Sequence, residues 1–267
     1  MEDYLKINKE WWNKATPIHA NSKLYDLAGF KKGKSSLNTI ELEELGDVQG
    51  KTLLHLQCHF GMDTLSWTKE GAIATGVDFS EESIKLARNL SEEIGVPATF
   101  VKSDVYDLPN VLKGEFDIVF TSYGVLGWLP DLKKWAQVVT HFLKKGGTFY
   151  IAEIHPLTNI FGKELTVRDA YFQKEPHINE SVPDYADDQP GIDAKTYNWT
   201  HPLGEVLSVL TEEGLTIEYL HEFPFIVYDR FPGLLKEDKQ GYWRFKDSSI
   251  QLPLLFSLKA TKQVVQC

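Results

Sequence analysis

Between residues 51 and 154 short apolar runs alternate with stretches of helical period, and this rhythm constrains the fold more than any other feature of the chain. "TLLHLQ", "AIATGVD", "ATFVKSD", "FDIVFTS" and "TFYIAEI" read as strands. A helix is predicted from near Gly61. A second, "SEESIKLARNLSEEIG", sets Ile84, Ala87, Leu90 and Ile94 on one face, with Ser80 as its cap and Glu81 and Glu82 at the positive end of its dipole. In "DLKKWAQVVTHFLKKGG" the inward face is Trp135, Val138, Val139 and Phe142, and Gly146 and Gly147 are the expected stop. Farther on, "PLGEVLSVLTEEG" predicts a helix, and "LTIEYLHEF" and "QLPLLFSLKAT" two more strands. Strands and helices in this order predict right-handed crossovers and an α/β, doubly wound, seven-stranded, mostly parallel sheet covered on both faces. Ligands bind such sheets beyond the carboxyl ends of the strands, so those ends are where chemistry is expected.

The remaining segments lack this rhythm. Residues 1–50, opening with a helix-like "YLKINKEWWNKA", form an N-terminal extension and a candidate lid, with Trp11 and Trp12 packing on the domain. Residues 51–154 are expected to form a ligand-binding core, and residues 155–200 are polar and aromatic without a period, as expected of a cap over its site. Its Tyr171, Tyr185, Tyr197 and Trp199 are candidates for a ligand pocket, and "DYADD" near Asp184 hints at a neutral or cationic ligand. Residues 201–267 complete the same α/β domain, although the stretch from residue 224 to 250 is too irregular to assign. The formal net charge of −10 disfavours a nucleic-acid partner, which needs many phosphate-neutralising cations. No apolar run approaches the ~20 residues of a membrane span. The acidic start predicts no secretory signal, and two cysteines, Cys58 and Cys267, predict a reducing, cytoplasmic setting rather than a disulfide framework. A small-molecule partner is therefore expected, and no oligomeric state is assigned.

Three features occupy three successive strand ends. The first is "LLHLQCHFGMDT", residues 53–64, an apolar run that breaks into a polar turn with a single glycine. The second is Asp78, 17 residues after Gly61, where a carboxylate can accept both hydroxyl hydrogens of a ribose or simply cap a helix. The third is Asp104 in "VKSDVYDLP", an acceptor for an adenine amino group or a turn residue. With these on the page, residues 50–155 resemble a class I S-adenosylmethionine-dependent methyltransferase with its Rossmann-like fold. The resemblance aligns "HLQCHFG" with the family's acidic residue and Gly-x-Gly-x-Gly turn, so that His55 replaces the acid, Gln57 and His59 replace two glycines, and Gly61 is retained. It matches "GVDFS" to the ribose segment, "KSDVYDLP" to the adenine segment, "FDIVFTSYGVLGWLPD" to the segment along the methionine and methyl donor, and "LKKGGTFYIAE" to the fifth strand. The implied cofactor is S-adenosyl-L-methionine. The implied contacts are Gln57, Cys58, His59, Phe60, Gly61, Asp78, Phe79, Ser80, Ser103, Asp104, Val105, Thr121, Ser122 and Tyr123.

The lost glycines put side chains where backbone closely approaches the cofactor. Either Gln57 and His59 point away and still present their N–H groups, or they fill the pocket and abolish binding. Loops like HLQCHFG recur as a variant within the family, which favours the first outcome. For Cys58 a small buried hydrophobe competes with a reactive thiol. Methyl transfer to a hydroxyl or protonated amine is helped by a general base, and His155, Tyr123, Glu153 and His201 are the candidates, His155 first because it ends the fifth strand. A nicotinamide loop needs G-x-G-x-x-G, and "QCHFGM" has one glycine of three. "GFKKGKS" is one residue short of a P-loop, and His55 and His59 do not share a helix face, so no metal is expected. The expected function is methyl transfer to a small molecule. The alternative is a non-catalytic adenosyl-binding or scaffold protein with a degenerate loop.

Overall fold

The computed structural model describes residues 4–162, 164–180, 186 and 192–263. Three helices, α1 (Tyr4–Asn21), α2 (Leu27–Lys31) and α3 (Thr39–Leu45), precede the sheet. The core then runs β1 (Thr52–Leu56), α4 (Met62–Lys69), β2 (Ile73–Asp78), α5 (Glu81–Ile94), β3 (Thr99–Lys102), α6 (Leu108–Val111), β4 (Phe116–Ser122), α7 (Leu132–Phe142) and β5 (Leu143–Ile154). A short hairpin of β6 (His177–Asn179) and β7 (Thr196–Asn198) follows, then α8 (Leu203–Glu212) and β8 (Leu215–Phe223). A second hairpin, β9 (Leu235–Glu237) with β10 (Trp243–Phe245), precedes β11 (Leu255–Lys262). No helix among the described residues is long and apolar enough to cross a membrane.

The seven-stranded sheet has the order β3-β2-β1-β4-β5-β11-β8. Pairings from β3 through β5 are parallel, and β11 runs antiparallel to both neighbours. This is the doubly wound, mostly parallel sheet expected from the sequence, and helices cover both faces. Leu54, Leu56, Val119, Phe149 and Ile151 face the side of α7 and α8, where Trp135, Val139, Phe142, Val206 and Leu210 are buried. Leu53, Ala74, Ile118, Phe120 and Tyr150 face the other side, with Trp67 of α4 and Leu42 and Leu45 of α3. Strand order reverses between β1 and β4, so their carboxyl ends open a crevice.

The amphipathic prediction for α5 holds at its cap as well as on its face. Ser80 Oγ accepts from Ser83 N–H at 3.1 Å, and Gly95 closes the helix in the left-handed region at φ 66°. α7 departs from expectation, because it ends at Phe142 and not at the glycine pair. Leu143 already pairs with Phe116 as the start of β5, and the register shifts before Ile118. Gly147 serves that bend: a Cβ there would lie 2.9 Å from the Lys144 carbonyl oxygen. The stretch 224–250, unassigned from sequence, carries the β9–β10 hairpin and buries Ile226, Phe231, Tyr242 and Phe245 against Leu254 and Leu255. Tyr185, Asp184 and Cys267 lie outside the described residues.

Candidate functional site

The loop after β1 answers how a glycine-poor turn can be built. Gln57 and His59 sit at φ 56° and 50°, in the left-handed region that the two missing glycines would occupy without strain. The retained Gly61, at φ 79°, caps α4, and a Cβ on it would lie 2.5 Å from the Phe100 ring. Each strained side chain has its own anchor. Gln57 Nε2 donates to the Val125 carbonyl at 3.1 Å. His59 Nδ1 lies 3.0 Å from Ser83 Oγ, and its Nε2 lies 3.0 Å from His19 Nδ1. The His59 ring therefore turns toward α1, where it meets Trp12 and His19 edge-on, and it meets Tyr25 of the following turn edge-on as well. Burial, followed by the His19 ring, holds His59 well below the usual imidazole range.

This loop opens on a cavity of 2110 Å³ that the ends of β1, β2, β3 and β4 share. Its wall includes Gln57, Cys58, His59, Phe60, Gly61, Asp78, Phe79, Ser103, Asp104, Val105, Ser122 and Tyr123. Two residues expected there are elsewhere. Ser80 caps α5 and donates to Asn13 Oδ1 at 2.7 Å, and Thr121 donates to the Leu56 carbonyl inside the sheet at 3.1 Å. Cys58, buried, packs its sulfur over Gly76, where a Cβ would lie 2.8 Å away, and burial pushes its thiol well up. It is a structural hydrophobe at the edge of the site.

Asp78 Oδ2 accepts from His59 N–H and Oδ1 from Ser80 N–H, both at 2.9 Å. Burial pushes its carboxyl up to about 6 against the pull of those amides. Asp104 accepts from Tyr106 N–H at 2.7 Å, so it forms a turn while also lining the cavity. Gln57 Oε1 is buried and has no hydrogen-bond partner among the described residues. His55 bonds Thr64 Oγ1 at 2.9 Å through Nδ1, its Nε2 has none among the described residues, and burial lowers it to about 3.

The catalytic candidates separate clearly. His155 does not line the cavity: it ends β5 with Nδ1 accepting from Leu157 N–H at 3.1 Å and Nε2 2.9 Å from Glu222 of β8. Both nitrogens are committed, so His155 is a turn cap and not a base for this cavity. His201 is held likewise, by the Leu129 carbonyl at 2.8 Å and by Glu205 at 3.3 Å. Glu153 lines the cavity, but its carboxylate is occupied by the N–H groups of Gly124, Val125, Leu126 and Ile154. It fixes the turn after β4, and burial raises its carboxyl against those four donors. Tyr123 opens that turn at φ 32°, and its hydroxyl donates to Glu41 Oε2 at 2.8 Å.

Two buried acids escaped the sequence reading. Glu41 of α3 is fully buried, accepts from Asn38 N–H at 2.8 Å as a capping box, and is pushed up to about 7 by burial. The capping-box spacing in "NTIE" signals the helix start but not the partnership with Tyr123, 82 residues away. Asp63, in the first turn of α4, receives Ser36 Oγ at 2.6 Å and Ser122 Oγ at 3.0 Å, and burial raises it. α1 joins the wall through Leu5 and Trp12.

A family model described as a methyltransferase domain matches residues 54–151. The ubiquinone biosynthesis O-methyltransferase of Photorhabdus laumondii is 28% identical over 158 residues, covering 58% of this chain and 60% of that protein. Its Bordetella avium counterpart is 25% identical over 180 residues, 63% of this chain and 68% of that one. The chain thus spans about 60% of the length of the first of these relatives. The fold is similar to that of an S-adenosylmethionine-dependent methyltransferase from Clostridium acetobutylicum, with TM-score 0.58, 14% identity and coverage of 98% and 100% of the two chains. It is also similar to magnesium protoporphyrin IX methyltransferase from Synechocystis, with TM-score 0.55, 12% identity and coverage of 98% and 99%.

Proposed function

We propose that the chain, whose residues 54–151 match a methyltransferase domain and whose fold is similar to that of S-adenosylmethionine-dependent methyltransferases, transfers a methyl group from S-adenosylmethionine to a hydroxyl of a small aromatic acceptor. The observation that carries this is the convergence of four strand ends on one cavity, with Gln57 and the buried Asp78 in its wall. The choice of oxygen draws support from relatives named O-methyltransferases.

The residues present fit the cofactor. Asp78, already desolvated, would accept the ribose hydroxyls, and Phe79, Ser103, Asp104 and Val105 would surround the adenine. Gln57, which lines the cavity, would turn its amide oxygen to the methionine ammonium, and the start of α4 at Gly61 would face the carboxylate. When bound, the cofactor supplies a methyl group already activated on a sulfonium. The protein's own work is then alignment and exclusion of water. Glu153 sets the turn that carries Tyr123 into the cavity wall. The proton released by an acceptor hydroxyl passes to Tyr123 Oη as the Tyr123 proton passes to Glu41 Oε2. Because the Glu41 carboxyl titrates near 7, turnover rises as pH increases through that value.

Calorimetric titration with S-adenosylhomocysteine, with NADH as control, tests the cofactor, and label transfer from tritiated S-adenosylmethionine to phenol, amine and thiol panels tests the reaction. Micromolar binding and label on oxygen are expected. Binding without turnover across the panels would favour the non-catalytic alternative. Glu41→Gln should flatten the rise through pH 7 without changing S-adenosylhomocysteine affinity.

A further inference from the structure

The cavity is larger than one nucleoside cofactor requires, and its far end is walled by Phe161, Tyr228, Phe231, Tyr242 and Trp243. Most charged groups at this end are accounted for. Arg168 pairs with Asp169 at 2.7 Å, and Glu153 is occupied by four backbone amides. Arg230 differs. It is half-buried in the cavity wall, and among the described residues no carboxylate lies within ion-pair distance of it. The neighbouring Asp229 does not serve: among the described residues it makes no ion pair with Arg230, and its buried Oδ1 has no hydrogen-bond partner. Among the described residues the guanidinium lies over the adjacent Phe231 ring, 5.6 Å away.

A guanidinium is charged at every accessible pH, and a partly desolvated one without a counter-ion costs free energy that a ligand anion would recover. We infer that the acceptor is an aromatic compound carrying one anionic group, a carboxylate, which pairs with Arg230 while its nucleophilic hydroxyl lies toward Tyr123. This rests on the methyltransferase reading above. A single cation matches a single charge, which favours a carboxylate over a doubly charged phosphate. The planar fork of arginine also suits two parallel hydrogen bonds to a carboxylate.

The experiment uses the full chain saturated with S-adenosylhomocysteine and three matched ligand series: hydroxybenzoates, hydroxybenzamides and phenyl phosphates. Each is titrated calorimetrically into wild type, Arg230→Gln and Arg230→Lys. Hydroxybenzoates should bind tightest to wild type, lose about tenfold or more in Arg230→Gln, and recover in part in Arg230→Lys. The benzamides should bind all three proteins alike. Tighter binding of benzamides or phosphates, carboxylate binding unchanged in Arg230→Gln, or no carboxylate binding at all would overturn the assignment. S-adenosylhomocysteine affinity, measured first on each protein, checks the fold of the variants. Its loss in wild type would count against the methyltransferase reading, and its retention without an anion preference against the Arg230 role alone.

Discussion

Gln57→Gly separates what the loop after β1 does for stability from what it does for the cofactor. Glycine at φ 56° relieves about 1 kcal/mol of left-handed strain. Removing the orphaned Oε1 relieves at least about 1 kcal/mol of uncompensated burial. Against these stand about 1 kcal/mol for the lost hydrogen bond to the Val125 carbonyl and about 0.5–1 kcal/mol for the freer unfolded chain. The terms cancel to within about 1 kcal/mol, a Tm change of no more than about 4 °C for a chain of this size. Cofactor affinity does not cancel. A hydrogen bond from an ammonium to Oε1 is worth about 1.5–3 kcal/mol, so S-adenosylhomocysteine should bind about 10- to 150-fold more weakly. 5′-Methylthioadenosine, which lacks the ammonium, should bind as it does to wild type. Calorimetry with both ligands on both proteins is the assay. Unchanged S-adenosylhomocysteine affinity would refute the ammonium contact, and an equal loss for the two ligands would show that the variant had disturbed the loop instead.

Burial pushes the Asp78 carboxyl up to about 6 in the free protein, and its ionised form is the stronger acceptor for two ribose hydroxyls, so binding favours loss of its proton. Affinity should be level above pH 7 and fall by about tenfold per pH unit below 6, and Asp78→Ala should abolish this dependence and weaken binding by about 1–3 kcal/mol. A flat wild-type profile would remove Asp78 from the ribose site. His59→Ala should cost about 2–4 kcal/mol through two ring hydrogen bonds and its aromatic contacts, and hydrogen exchange should quicken across residues 4–21. Unaltered protection there would mean that α1 is held without His59. Glu153→Gln turns an NH₂ donor toward backbone N–H donors and should cost about 2–3 kcal/mol in thermal unfolding, with loss of turnover. Full stability in that variant would contradict its role in fixing residues 124–126.

The core strands and α5 were readable because each buries one face, and burial imprints a period on the sequence. The places of Asp78 and Asp104 in the cavity wall were readable because both follow the ends of strands that open on the crevice. Orientation was not readable. His155 follows β5 by one residue, where strand alternation no longer governs, and its partner Glu222 lies on β8, beyond β11 in the sheet. The early end of α7 reflects the Leu143–Phe116 pairing, a tertiary contact that overrides the local glycine signal. Glu41 and Arg230 were hidden for a related reason. Each sits in a segment whose place over the crevice is set by hydrophobic contacts distant in sequence, such as Ile40 with Ile226 and Leu254.

α1 touches the site at two places. Near its start, Asn8 exchanges hydrogen bonds with the Tyr197 backbone of β7 at 2.8 and 2.9 Å, and near its end His19 meets His59 of the cofactor loop. Asn8 and His19 lie 11 residues apart, about 16 Å along the helix, so α1 links the β6–β7 hairpin to the loop after β1. If the chain transfers methyl groups as proposed, release of the demethylated cofactor should loosen the α1 contact with β7. Steady-state product inhibition should then depend on which ligand is varied, and a pattern independent of the varied ligand would refute the coupling.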